Sequence, residues 1–249
     1  MSAPSISLGS AGPVLPHSRA ARPLGFSTGA LALSDVRGAL ARLAGTGATA
    51  IELSALRLRE VGPLVAMAAS LDLAAYPYVS VHAPSRFEAA DEPAVVAAMA
   101  ELAARGWPIV IHPDAIHDLT LWRPLGPMAV VENMDKRKPI GRTVRELEAI
   151  FKELPEATFC FDLGHARQVD RTMTEASFLI RELGPRLRQL HVSEVNTQSR
   201  HDPLSWGSVH AFQKVARWIP EDVPLILETP ANPAEIPRQV AMAAEALRA

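Results

Sequence analysis

The chain has 249 residues, of which 48% are apolar and 21% charged, and a formal net charge of −2. That length suits one large domain or two small ones, and the near-neutral balance gives no sign of a polyelectrolyte partner, although a basic groove can hide within it. The single cysteine, Cys160, excludes an internal disulfide framework and a cysteine-based zinc cluster.

Residues 1–22 are rich in Ser, Pro and Gly and lack an apolar signal core, so they read as a short, flexible and poorly ordered N-terminal leader. No apolar run approaches the ~20 residues of a membrane span, and no targeting segment is evident, which leaves the cytoplasm as the default location.

From Leu24 onward, strand-like and helix-like segments alternate. LGFST is the first strand, and LSDVRGALARLAG follows it as an amphipathic helix capped by Ser34. TAIELS (Thr49–Ser54) is the second strand, with a helix near Val65–Leu71. YVSVHA is the third, followed by a helix over Pro93–Arg105 with proline just inside its start. PIVIH is the fourth, with a short helical piece over Asp114–Trp122. MAVVEN is the fifth, followed by a helix over Thr143–Leu154 whose Thr143 and Glu146 form a capping-box pattern. ATFCFDL is the sixth, with a helix near Thr174–Leu183. LRQLHVSE is the seventh, with a helix over Val209–Trp218. VPLILET is the eighth, and Ala234–Arg248 closes the chain as a helix.

Strands apolar on both faces predict a parallel sheet covered by helices. Eight such strand–helix units predict a single α/β domain, a (β/α)8 TIM barrel over residues 23–249. A doubly wound sheet would usually carry a phosphate-binding glycine turn after its first strand, and FSTGALALS contains no G-x-G-x-x-G.

The apolar runs end repeatedly in metal-type side chains: His82, His112, Glu132, Asp162 with His165, His191 and Glu228. In a (β/α)8 barrel those strand ends share one rim, where catalytic residues sit. Five of the eight histidines (His82, His112, His165, His191, His201) fall at or just after a strand end. A ring of acids without a cation would repel itself, and several would have to bind protons. Glu132 and Glu228 would otherwise be carboxylates buried without partners. Each site also has a plainer reading: His82 or His112 as a histidine bonded to backbone, Asp162 as a helix cap. Glu52 and Glu194 read as rim partners of Arg57 or Arg200 and stay outside the metal set. Cys160 reads as barrel packing, Lys136–Lys138 as a solvated loop, and His17, His117 and His210 as surface residues.

The strand-end series HAP, HP, EN, D-L-G-H, H-x-S-E and E-T resembles the xylose isomerase-like TIM-barrel superfamily, which holds sugar and sugar-phosphate isomerases and epimerases and the endonuclease IV type of abasic-site nuclease. The resemblance implies a divalent ion, Zn or Mn, held by Glu132, Asp162, His191 and Glu228. In the isomerase branch, Glu132 and Glu228 would be the acid/base pair beside a small polyhydroxy substrate. His165 and Arg200 would hold its hydroxyls or a carboxylate, and Trp206 or Trp122 would stack on the sugar. The nuclease branch uses three zinc ions and adds His82, His112, His165 and His201 as ligands. Its D-x-H motif falls here on Ser199-Arg200-His201, with serine where the acid is expected. Short βα loops and basic residues placed mainly on helices disfavour a nucleic-acid partner. The expectation is therefore a metal-dependent sugar or sugar-phosphate isomerase/epimerase acting by proton transfer next to a carbonyl. The alternative is a zinc-dependent endonuclease IV-like phosphoesterase acting on abasic DNA. Exposed Ala-rich helices such as Pro93–Arg105 offer a surface for a homo-oligomer.

Overall fold

Eight parallel strands close into a barrel in a computed structural model that describes residues 22–248. In chain order the elements are β1 (Leu24–Ser27), α1 (Thr28–Ala32), α2 (Val36–Leu43), β2 (Ala50–Ser54), α3 (Leu58–Ala68), β3 (Tyr78–His82), α4 (Glu92–Ala103), β4 (Ile109–Ile111) and α5 (Leu119–Trp122). There follow β5 (Ala129–Glu132), α6 (Val144–Glu153), β6 (Thr158–Asp162), α7 (Leu163–Val169), α8 (Thr174–Leu183) and β7 (Leu187–Val192). A small antiparallel hairpin, β8 (Glu194–Val195) with β9 (His201–Asp202), precedes α9 (Trp206–Ala216), β10 (Leu225–Leu227) and α10 (Ile236–Ala246). The barrel order is β1-β10-β7-β6-β5-β4-β3-β2, so consecutive βα units are neighbours and β10 closes on β1. Of the expected leader, residues 1–22, residues 1–21 lie outside the described residues. Arg22 at its end is tied to the barrel, its guanidinium donating to the carbonyls of Val223 and Pro220.

Strand pleating splits each strand's side chains between two compartments. Phe26, Ile51, Leu53, Val81, Leu190, Val192, Leu225 and Leu227 face the helices and join the main apolar core with residues such as Leu147 and Phe212. Each such side chain contributes roughly 1.5–3 kcal/mol on burial. Val110, Val130 and Cys160 form a separate cluster inside the barrel, as expected for Cys160. The remaining interior positions are largely polar: Ser27, Glu52, Ser80, Gln189 and His191 are all buried. The strands are therefore not apolar on both faces throughout, because the interior supports a polar rim.

Several local expectations shift. Asp35, not Ser34, caps α2, accepting from the Gly38 amide at 2.8 Å. Helix α3 begins at Leu58, ahead of Pro63, rather than near Val65, and α9 begins at Trp206 rather than Val209. The segment after β4 is a 3-10 turn over Pro113–Ala115 and then α5, instead of one helix. Thr143 does cap α6, but Glu146 turns to the Arg142 amide at 2.7 Å instead of completing the box.

Candidate metal centre

Glu132 ends β5 with its carboxylate fully buried. Its two oxygens face different partners. Oε2 lies 3.3 Å from His112 Nε2 and 3.5 Å from His82 Nε2. Oε1 lies 3.1 Å from His165 Nδ1 and 3.4 Å from His191 Nδ1. His191 Nδ1 is in turn 3.5 Å from Glu228, beyond the end of β10. Two donor groups thus share one carboxylate: His82, His112 and Glu132 on one side, and Glu132, Asp162, His191 and Glu228 on the other, each with ligand atoms within 4.8 Å of one another. Cys160 also approaches Glu132 and His191, but burial pushes its thiol well up, and a neutral thiol is a poor ligand.

The donors fit a divalent cation because the polar atoms facing inward lack partners. Glu132 Oε1 and Oε2, Asp162 Oδ2 and His191 Nδ1 are buried with no hydrogen bond. The outward-facing atoms of His82 and Asp162 are satisfied, whereas His112 Nδ1 is buried without a partner. His82 Nδ1 meets the Ala83 carbonyl at 2.7 Å, which leaves Nε2 as the free acceptor toward Glu132. Asp162 Oδ1 accepts from the His165 amide at 2.6 Å, so Asp162 caps α7 and still presents Oδ2. The Asn133 side chain donates to the Asp162 carbonyl and accepts from its amide, locking the ends of β5 and β6 together. Gly164 lets α7 approach β7, since a Cβ there would stand 2.6 Å from the Ser193 carbonyl oxygen.

Electrostatics carry the same imprint. Burial alone would lower His82, but contact with Glu132 and the field of Glu52 raise it to about 9. Burial likewise opposes His165, while Asp162 and Glu132 raise it to about 10. Burial raises Asp162 to about 6. Burial holds His112 down despite Glu132. His82, His165 and His191 thus act as surrogate cations for the acid cluster.

The other predicted residues divide. His165 and His201 have ring centroids 5.5 Å apart; His165 Nδ1 meets the Asn133 carbonyl at 2.9 Å, and His201 Nδ1 is held by Ser193 Oγ at 2.8 Å. Neither joins the two donor groups. Arg200 is exposed at the turn of the β8–β9 hairpin. Trp206 is 56% exposed at the start of α9, against His210 at 6.1 Å. Trp122 cannot stack on a substrate, because it is buried and its indole donates to Glu92 at 2.9 Å. Ser199 donates to Asp135 at 2.5 Å and accepts from Gln168 at 2.9 Å, which binds the hairpin to the loop after β5. In that loop Arg137 donates to the Gln198 carbonyl and Lys138 pairs with Asp114 at 2.8 Å, so the basic run is structural as well as solvated. Glu194 is a rim partner, of Arg167 rather than Arg200, at 3.1 Å. Glu52 is not a rim residue: it is buried inside the barrel, bound to His191, Gln189 and Ser80, while Arg57 pairs with Glu60. Its place one pleat below Ser54 on β2 was the available signal.

No family model and no curated protein sequence matches the chain. Solved structures do. Endonuclease IV from Thermus thermophilus superposes with a TM-score of 0.60 at 20% identity, over 90% of this chain and 98% of that one. A xylose isomerase-like TIM-barrel protein from Mycobacterium smegmatis, in complex with magnesium, gives 0.56 at 12% identity, over 92% and 98%. A sugar phosphate isomerase/epimerase candidate from Anabaena variabilis gives 0.53 at 14%, over 88% of each chain. The molecule is a (β/α)8 barrel with a donor-lined mouth. It shares this fold with the three solved structures above.

Proposed function

We propose that this chain is a divalent-metal-dependent enzyme with a two-ion centre bridged by Glu132, and that it hydrolyses a phosphate ester. The observation that carries this reading is the division of Glu132: Oε2 toward His82 and His112, Oε1 toward His191 beside Glu228. A one-ion isomerase has no need of the first group. His82, His112 and Glu132 would hold one ion, and Glu132, Asp162, His191 and Glu228 the other. Zinc suits this imidazole-carboxylate set, and manganese suits its acid-rich half. Ions so held would supply an activated water at neutral pH and offset charge on a phosphoryl oxygen. The chain's own part is to fix tautomers through Ala83 and Asn133 and to keep the carboxylates dry. His165 and His201 stand beside the acid cluster, with His201 a third exposed, so both can contact a phosphate oxygen. Only His165, raised against burial to about 10 by Asp162 and Glu132, holds a proton to hand to a departing one, since burial keeps His201 down to about 4. Arg200 and Lys136, both exposed on the loops above, are candidate phosphate contacts.

The isomerase/epimerase reading has its own support: Glu132, Asp162, His191 and Glu228 make a complete four-donor set for a single ion, with two glutamates able to serve as acid and base beside a carbonyl substrate. Counting ions in protein purified without chelators decides between them. Two zinc or manganese ions per chain, with turnover of a phosphodiester such as bis(p-nitrophenyl) phosphate, support the hydrolase. Cleavage of an abasic duplex would extend it to nucleic acid. One ion per chain, with deuterium uptake next to the carbonyl of a ketose or aldose phosphate, would replace the hydrolase with the isomerase.

A further inference from the structure

Gln189 and Tyr78 belong to none of the groups described above, yet they sit in a continuous polar line through the barrel. Tyr78, the first residue of β3, donates its hydroxyl to Gln189 Oε1 at 2.6 Å. Because the Glu52 carboxylate on the other side of the amide can only accept, the Gln189 nitrogen faces Glu52 and its oxygen faces Tyr78. Gln189 Nε2 then lies 2.8 Å from Glu52 Oε2 and 2.9 Å from His191 Nε2. Glu52 Oε2 also accepts from Ser80 Oγ at 3.0 Å and meets His191 Nε2 at 3.1 Å. Strand β7 borders neither β2 nor β3, so these contacts cross the interior.

The chemistry of the line is directional. In the neutral ring that a cation requires, Glu52 accepts the Nε2 proton of His191, which leaves Nδ1 as the bare nitrogen. That nitrogen is buried, has no hydrogen bond, and faces Glu132 and Glu228 at 3.4 and 3.5 Å. Without Glu52 the neutral ring could as well carry its proton on Nδ1, where it would block a cation. Gln189 bears on the same choice. Its amide nitrogen is a donor, so a bare Nε2 would be the nitrogen it satisfies, unless Glu52 claims that amide instead. Tyr78 orients the amide toward Glu52 from the opposite end of the barrel, where its ring lines a cavity with Tyr76, Arg105, Trp107 and Arg188.

We infer that Glu52, Gln189 and Tyr78 are positioning residues that hold His191 as an Nδ1 ligand, acting in series from the floor of the barrel to its mouth. The inference rests on the metal-centre reading above, but not on the reaction catalysed there.

The test uses zinc as the probe, with affinity read by competition against a chromogenic chelator on the full chain. The His191 tautomer is read by long-range nitrogen–proton NMR of the zinc-loaded protein. Glu52→Gln is expected to weaken zinc binding about 10- to 100-fold, the usual effect of removing a partner behind a histidine ligand. Tyr78→Phe is expected to weaken it about 2- to 10-fold, the range of one net hydrogen bond. Added to Glu52→Gln, Tyr78→Phe should have no further effect, because it acts through Glu52. In the unaltered chain the ring should show a protonated Nε2 and a metal-shifted Nδ1. Equal affinity in all variants, or a zinc-loaded His191 protonated at Nδ1, overturns the relay and leaves the metal centre standing. Additive losses overturn the serial arrangement. No zinc binding by the unaltered chain overturns both.

Discussion

Glu132 is the residue on which the site turns. A carboxylate with no exposure and no hydrogen bond is costly, and here the cost is offset only by four surrounding imidazoles. Glu132→Gln keeps the volume and removes the shared charge. Elemental analysis should then find no more than one ion per chain, and retention of the full wild-type complement would refute the bridge. The histidines also set a pH dependence. A raised pKa means that His82 holds its proton up to about pH 9, and a cation requires the neutral ring. Metal affinity should therefore climb as pH rises from 6.5 toward 9. It should fall steeply below about 6, where Asp162 also gains a proton. Calorimetric titrations in buffers of different ionisation enthalpy should show protons released on loading at pH 7.5. A pH-independent affinity would contradict the assignment.

At the scale of elements, the site depends on how α7 enters, whereas the anchor of the loop after β4 serves stability. The motif D-L-G-H packs three tasks into four residues: Asp162 caps, Gly164 permits close approach to β7, and His165 turns inward. Gly164→Ala forces a Cβ against the Ser193 carbonyl and Val195, and should cost about 1–3 kcal/mol by the scale of overpacking. It should also reduce metal affinity, because α7 is capped by Asp162 and leans on the strand carrying His191. Glu92 offers the contrasting case. Buried at the start of α4, it accepts from the His117 and Asp118 amides and the Trp122 indole. Glu92→Ala should lower stability by roughly 2–3 kcal/mol in chemical denaturation, the penalty for stranded donors, with metal stoichiometry unchanged. A loss of metal in that variant would show that the anchor reaches the centre.

For the whole molecule, the barrel closes around its own unpaired charge. A ligand that binds only the folded state stabilises it by mass action, about 4 kcal/mol at a thousandfold excess over Kd. Stripping the ions with a chelator should lower the melting temperature, and stoichiometric zinc should restore it. An unchanged melting curve would indicate that the imidazoles alone settle the acid cluster. Strand identities were legible in the sequence because a buried parallel strand leaves a short apolar run bounded by turn residues, and every such run here became a barrel strand. Short-range features were less secure: Ser34 and Asp35 compete for one cap, and the β8–β9 hairpin leaves only two residues on each side.

The order of the strands and the presence of a ligand-type side chain at the ends of six of the eight were set by the sequence alone, since periodicity and chain order are local properties. What the tertiary structure decided is which atoms meet. Glu52 and Gln189 are 137 residues apart, and no local pattern reveals that their strands face each other across the barrel. Closure of the sheet made Glu52 an interior partner of His191 and turned the two oxygens of Glu132 toward separate donor groups. It also diverted Ser199 to Asp135 and buried Trp122 behind Glu92. Those outcomes depend on azimuth around the barrel, which only the closed sheet defines.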